Sequence, residues 1–368
     1  PQAFEAVFAS HLDSVRVANL GLSAYLNGRR LGVPGMAMAE GNAPAVGSML
    51  AFGAEDPEML AMAMQAAEEN ADDEPTDEQR FDVTTTGSNR PQPTVADERW
   101  GAFVRGIGVF QDTESNGDAA GYQVDTGGFL GGVDYATDNN MLIGMTIGYQ
   151  NSSVSLELNR GSHDIDTIRV GPYLSWNPAP WFVDASLTYG YHNIDSDRNA
   201  MGQALESDHA GHEVTAFLRA GRDFEMDSGL RITPEAALQY TYLYEESFSE
   251  TGGSNALNVD DVGSDSLRSR LGVTLSYVID RGQMAFIPEV FAGWEHEFLD
   301  PEDRDAVFVN NGNPSNFNPG SDDDDSYVLA GGLTALLREN LSAFVRYEGT
   351  FSDDDTIHGI TGGVRLRF

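Results

Sequence analysis

From Trp100 to Phe368 the chain repeats one pattern: apolar and polar residues alternate at every second position over segments of roughly a dozen residues. A period of two marks an extended strand with two unlike faces, because successive side chains point to opposite sides of the pleat. Twelve such segments are legible, near 99–110, 122–136, 141–156, 164–177, 181–194, 212–224, 231–246, 264–279, 284–298, 326–337, 341–351 and 357–368. Their connections alternate in length. Five are tight turns, at 136–140, 177–180, 225–229, 279–282 and 337–340, and the six between them are mostly longer, the largest running over 299–325. Short turns at one end and long loops at the other fit an all-β transmembrane fold, a 12-stranded antiparallel outer-membrane β-barrel. The even strand number puts both barrel ends on the short-turn, periplasmic side. A soluble β-sandwich also alternates, but with shorter strands and no parity in its connections.

Composition removes most rivals. No run of roughly 18 apolar residues exists, so no transmembrane helix is available. A mean hydropathy of −0.32 counts little against a barrel, which hides its apolar residues at every second position. Cys is absent, which excludes disulfides, thiolate chemistry and Cys-based zinc sites. All 21 basic residues are Arg, and a net charge of −37 opposes nucleic-acid binding, which needs a basic footprint. No secretory signal opens the chain at Pro1, as expected of a piece of a longer polypeptide.

Strand parity predicts where the charges go. The polar face collects Arg105, Asp134, Arg169, Asp184, Arg219, Glu235, Arg268, Arg270, Glu289, Arg346, Glu348, Arg365 and Arg367, eight cations and five anions in a very acidic chain. These are the expected lumen-lining charges. Their signs alternate between neighbouring strands, which predicts the bridges Arg105–Asp134, Arg169–Asp184, Arg219–Glu235 and Arg270–Glu289, since Arg binds a carboxylate through two parallel hydrogen bonds. The other face carries aromatics near strand ends: Trp176, Trp181, Tyr189, Tyr191, Tyr240, Tyr244, Trp294, Tyr347 and Phe368. That is the pattern of interfacial girdles. Acidic runs at 322–325 and 353–355 fall in outer connections, where they are solvated loops more often than cation sites.

No catalytic constellation emerges, so the expectation is a non-enzyme with no cofactor and no metal. His209 and His212 flank a loop, and Trp294-Glu-His-Glu297 would point alternate side chains to opposite faces of a strand. Neither a Gly-x-Ser-x-Gly elbow, a His-Glu-x-x-His helix nor a phosphate loop is present.

The N-terminal part is of another kind. Phe4, Phe8, Leu12, Val15, Leu22 and Leu26 recur at spacings of three and four, which predicts an amphipathic helix over 1–30. Residues 31–98 read as an acidic Gly/Pro/Ala-rich linker, with a short helix near 56–70 opened by Asp56-Pro57. The barrel then occupies 99–368.

Several motifs resemble the translocator domain of monomeric, type V autotransporters, in the right order. Pro288, Trp294, His296, Glu297 and Phe298 match its Pro…Trp-x-His-Glu-Phe signature. The segment from Trp100 to Gly106 resembles its first strand, Gly127 to Tyr135 the Gly-x-x-x-Gly-x-Asp of its second, and Ser266 to Gly272 its eighth. Thr361, Gly363, Leu366 and Phe368 fit the terminal signal read by the barrel-assembly machinery. The resemblance implies protein secretion: a cell-surface anchor in the outer membrane of a diderm bacterium that carries its own N-terminal passenger outward, a helix threading the lumen. The implied partners are outer-membrane lipid and lipopolysaccharide, the assembly machinery and periplasmic chaperones. A structural or pore-forming barrel anchoring a permanent surface assembly is the alternative. The 1–30 helix is the better candidate for the lumen, with Glu5 and Asp13 placed to meet lumenal Arg. Relatives that release their passenger by Asn cyclisation do so at an Asn-Asn pair in the pore helix; here the pairs are Asn139-Asn140 and Asn310-Asn311, so the passenger is expected to stay attached or to be cut by another protease.

Overall fold

The computed structural model describes ten residues between 7 and 26, and residues 99–368 apart from 116–120, 282–283, 300–303, 310–311, 313, 318–323 and 339. Twelve long strands make the wall: β1 (Trp100–Thr113), β2 (Tyr122–Ala136), β3 (Met141–Leu156), β4 (Gly161–Trp176), β5 (Trp181–Ala200), β6 (Gln203–Arg222), β7 (Leu230–Glu245), β8 (Val262–Tyr277), β9 (Ala285–Glu297), β10 (Asp325–Arg338), β11 (Leu341–Phe351) and β12 (Asp355–Arg367). Each pairs antiparallel with its sequence neighbours, and β12 returns to pair with β1 from Gly101↔Arg367 to Thr113↔Asp355. Two backbone bonds complete this seam, Trp100 N–H to the Phe368 carbonyl at 3.1 Å and Phe368 N–H to the Trp100 carbonyl at 3.0 Å. Closure leaves no unpaired edge in the wall, which hydrocarbon demands of any sheet that crosses it.

Burial alternates along the strands, cleanly in β4, where His163, Ile165, Thr167, Arg169, Gly171, Tyr173 and Ser175 are buried and their neighbours exposed. The exposed set is apolar and the buried set mixed or polar, the inverse of a water-soluble core. Trp176, Trp181, Tyr189, Tyr191, Trp294 and Tyr347 all lie on the outer face.

Two features of the outer end differ from expectation. The 194–212 stretch is not a loop: β5 and β6 continue past the barrel rim as a hairpin closed at Met201-Gly202, both at positive φ. Beyond the rim both faces are wet, so apolar alternation ceases while the backbone stays paired. The long connections after β7 and β9 supply four short strands, Phe248–Ser249, Leu257–Val259, Arg304–Phe308 and Pro314–Phe317, which form a second sheet. It is tied to the β5–β6 hairpin by an Arg198–Glu250 ion pair at 2.5 Å and by stacking of His209 on Phe248.

Val7, Ser10, Leu12, Val15, Arg16, Asn19, Leu22, Ser23, Tyr25 and Leu26 are helical and buried, and their partners are inward-facing wall residues. The helix is therefore enclosed by the barrel. It buries Arg, Asn and Ser beside Leu and Val, as a helix inside a polar tube must. Glu5, Asp13 and residues 31–98, with the helix expected near 56–70, lie outside the described residues.

Candidate functional site

The enclosed helix and the inner wall meet at three levels. Nearest the short turns, the helix seats its ring: Tyr25 lies 4.3 Å from the Phe103 ring, and the Tyr25 and Tyr173 hydroxyls both donate to Asp134, the latter at 2.9 Å. The Arg365 guanidinium lies over Tyr25 and Phe344. Leu22, Leu26, Ile107, Leu130 and Leu142 fill the space around them.

At mid-height the contacts are ionic. Arg16 meets Glu295 at 2.9 Å, Glu295 also meets Arg270 at 2.8 Å, and the chain continues through Glu348, Arg346 and Glu289. Asn19 donates to Gln239 at 2.9 Å and accepts from Ser186 at 3.4 Å, while Arg219 donates to the Ser23 carbonyl at 3.2 Å. A cavity of about 40 Å³ beside Asn19 and Glu235 has room for a water or two. At the outer level Val7 packs among Tyr122, Val124, Val154, Leu156, Ile165 and Ile194. The helix thus descends from the outer mouth at Val7 to the periplasmic mouth at Leu26, with its ionic and amide seats between.

All thirteen charges expected in the lumen lie on the inner face, Arg268, Glu235, Glu289 and Arg367 less deeply than the rest. Their pairing departs from expectation. Arg219 does approach Glu235, at 3.6 Å, but Asp184 pairs with Arg219 and not Arg169, and Arg270 pairs with Glu295 and Glu348 and not Glu289. Asp134 takes two tyrosines. The physical reason is a set of inward glycines. Arg169 aligns with Gly190 on the next strand, and Gly190 with Glu213 on the strand beyond, so the guanidinium crosses a strand that has no side chain in the way. It binds Glu213 through Nε at 3.1 Å and Nη2 at 2.8 Å. Gly332 likewise separates Glu289 from Arg346, which bridge over it at 2.6 Å, and Gly144 separates Asp134 from Tyr173. A Cβ at Gly144 would overlap the Tyr173 ring.

Sequence reasoning missed Glu213, Glu245, Glu295 and the charge role of Glu297, which ion-pairs with Arg268 at 2.8 Å. All four are inward; with the five expected they set nine carboxylates against the eight expected arginines, and no cationic excess remains among these wall residues. Parity was the available signal: Glu213 shares the face of Arg219, and Glu295 that of Glu289. Buried His192 binds Thr167 at 2.8 Å and lies 3.4 Å from Glu213.

The remaining motif residues divide between the faces. Trp294 and His296 point outward and share Asp325, while Glu297 points inward and Phe298 is exposed beyond the strand. His209 is inward beside Glu245 and His212 outward beside Tyr189, so the two histidines share no site. No group of three metal-binding side chains occurs among the described residues. Of the terminal signal, Thr361 is buried and donates to the Gly106 carbonyl at 3.0 Å, Gly363 packs on Arg105, and Phe368 lies at the outer surface.

Comparison with known proteins agrees with this geometry. The family model of the autotransporter beta-domain matches residues 102–348. An extracellular serine protease of Serratia marcescens is 25% identical over 281 residues, covering 73% of this chain and 26% of that protein. The esterase EstA of Pseudomonas aeruginosa is 25% identical over 292 residues, covering 73% of this chain and 43% of the esterase. The chain thus spans less than half the length of these relatives. The translocator domain of NalP from Neisseria meningitidis superposes with a TM-score of 0.61 at 15% identity, over 84% of this chain and 95% of that one. The beta domain of Bordetella BrkA gives 0.60 at 19% identity, over 73% and 100%.

Proposed function

The chain belongs to the autotransporter beta-domain family, and on that premise we propose that its enclosed helix is the resident plug left in the translocation path, held by the lumenal charges. The barrel is an outer-membrane translocator for an N-terminal passenger. It is the non-catalytic part, and we assign any enzymatic activity of the whole polypeptide to the passenger.

The observation that carries the proposal is the seating of Arg16, Asn19 and Tyr25 on Glu295, Gln239 and Asp134, acceptors from three separate regions of the wall. A passing peptide needs no such matched seats; a segment at rest does. The direction of the helix, outer mouth first, matches a passenger that lies outside and precedes it in sequence. Near-balance of lumenal charge suits transit, since no sign of side chain is held everywhere along the path. Thr361, Gly363, Leu366 and Phe368 serve in this reading as the address for the assembly machinery, and the aromatic girdles as the contact with outer-membrane lipid and lipopolysaccharide. Periplasmic chaperones keep the unfolded strands apart before insertion.

Single-channel conductance in planar bilayers tests the plug. Deleting residues 1–98 is expected to open the lumen and raise conductance several-fold over the intact chain. Equal conductance of the two forms would refute a plug and favour a standing pore.

A further inference from the structure

Arginines near the short turns differ in what holds them. Arg99 is neutralised by Asp138 at 2.7 Å and Arg231 by Glu225 at 2.6 Å. Arg222, the last residue of β6, has no ion pair and no side-chain hydrogen bond among the described residues; its Nε is buried without a partner. Two aromatic rings hold it, Trp181 at 5.2 Å and Phe224 at 4.6 Å from the guanidinium carbon. Trp181 is its direct cross-strand partner, and Phe224 opens a two-residue strand that pairs back onto β7. Asp223, the nearest acid in sequence, points to the other face and accepts from Thr233.

A guanidinium held against two rings, with its donors unused, is preorganised for a bidentate anionic partner. The depth names the source. Trp176, Trp181 and Phe224 are exposed on the lipid-facing side beside the short turns, where aromatic belts lie at headgroup level. We propose that Arg222, Trp181 and Phe224 form a binding site for the phosphodiester of a glycerophospholipid in the periplasmic leaflet. The rings orient the guanidinium and cover its Nε, the two Nη groups donate to two phosphate oxygens, and the acyl chains continue along the apolar wall above. No residue of this site belongs to the lumen, so the inference stands apart from the translocation reading.

Native mass spectrometry of the folded full chain in detergent, titrated with dioleoyl phosphatidylglycerol, tests it. The expected result is one preferentially retained lipid, with dioleoylglycerol, which has the same tails and no phosphate, retained about tenfold less, the scale of a hydrogen bond to a charged group. Arg222→Gln should weaken retention about tenfold and Arg222→Lys several-fold, the charge kept and the fork lost. Arg338→Gln, at an exposed arginine of the same end without a ring beside it, should leave retention unchanged. Folding of each variant is read from heat-modifiable gel mobility, and Arg222→Lys carries the test should the Gln variant not fold. Unchanged retention in the Arg222 variants overturns the proposal, as does equal retention of dioleoylglycerol. Displacement of the lipid by millimolar inorganic phosphate would identify a site for the free anion and overturn the lipid assignment.

Discussion

The seat of Arg16 on Glu295 can be tested as a two-residue cycle. The two side chains are 6% and 8% exposed and 2.9 Å apart, so their attraction is only weakly screened. At an effective dielectric of 20 and a charge separation of roughly 4 Å the Coulomb term is about 4 kcal/mol. Desolvation offsets part of it, and removing one partner of a buried pair costs about 3–5 kcal/mol. Arg270 holds the same carboxylate at 2.8 Å and also has Glu348, so the network can absorb some of the loss. About 3 kcal/mol is therefore expected for Glu295→Gln, roughly a 150-fold change in the ratio of plugged to open states at 1.4 kcal/mol per tenfold. Arg16→Met should cost less, about 1–2 kcal/mol, because Glu295 keeps Arg270. The double variant should fall short of the sum by about 1–2 kcal/mol, the coupling between contacting charges. Open-state dwell in single-channel records reports all three. Strict additivity, or an open probability that neither variant moves, would refute the reasoning.

Other outcomes follow from the wall. Gly332→Val places a side chain where Glu289 already sits 3.0 Å from the ideal Cβ; overpacking plus a broken bridge should cost about 2–3 kcal/mol in urea unfolding of the inserted barrel, whereas Gly127→Ala, at a site with nothing within 4 Å, should cost under about 1 kcal/mol. On the outer hairpin Asp164, Asp195 and Asp208 stand in one cross-strand row, and desolvation, then Asp208, Asp166 and Asp164, raise the Asp195 pKa. A carboxyl whose pKa rises on folding favours the hairpin below its unfolded pKa and loses that contribution as pH climbs through the raised value; Asp195→Asn should thus slow proteolysis of the hairpin modestly at pH 7 and not near pH 3, and an equal effect at both would exclude charge as the cause. Deleting Phe368 should impair insertion into the outer membrane more than the unfolding resistance of barrels already inserted, and equal losses in the two assays would remove its role as an address.

Strands were legible wherever one face met lipid and the other the lumen, because the two media enforce alternation; twelve segments and their turns follow from that alone. Where the media agree, the signal vanishes. Asp195 to Ala200 are exposed or half-exposed on both sides, and the hairpin they build has no period to detect. Inward charges were legible by parity, but their partners were not. Parity gives a face and not a reach, and Arg169 finds Glu213 only because Gly190 stands between them. The helix pattern at Leu12, Val15, Leu22 and Leu26 matches four buried residues; the equal burial of Arg16, Asn19 and Ser23 was not legible, since a helix in a tube hides its polar stripe as well as its apolar one.

The seam between β1 and β12 joins residues 242 to 268 positions apart, from Thr113 with Asp355 to Trp100 with Phe368. Contacts of that separation form late, after every shorter hairpin has had its chance to close. Until then the sheet carries two raw edges, each able to pair with any strand it meets. A chain interrupted anywhere before β12 keeps both edges open, so closure acts as a test of completeness: only a polypeptide finished through its final strand can hide its own backbone from the hydrocarbon around it.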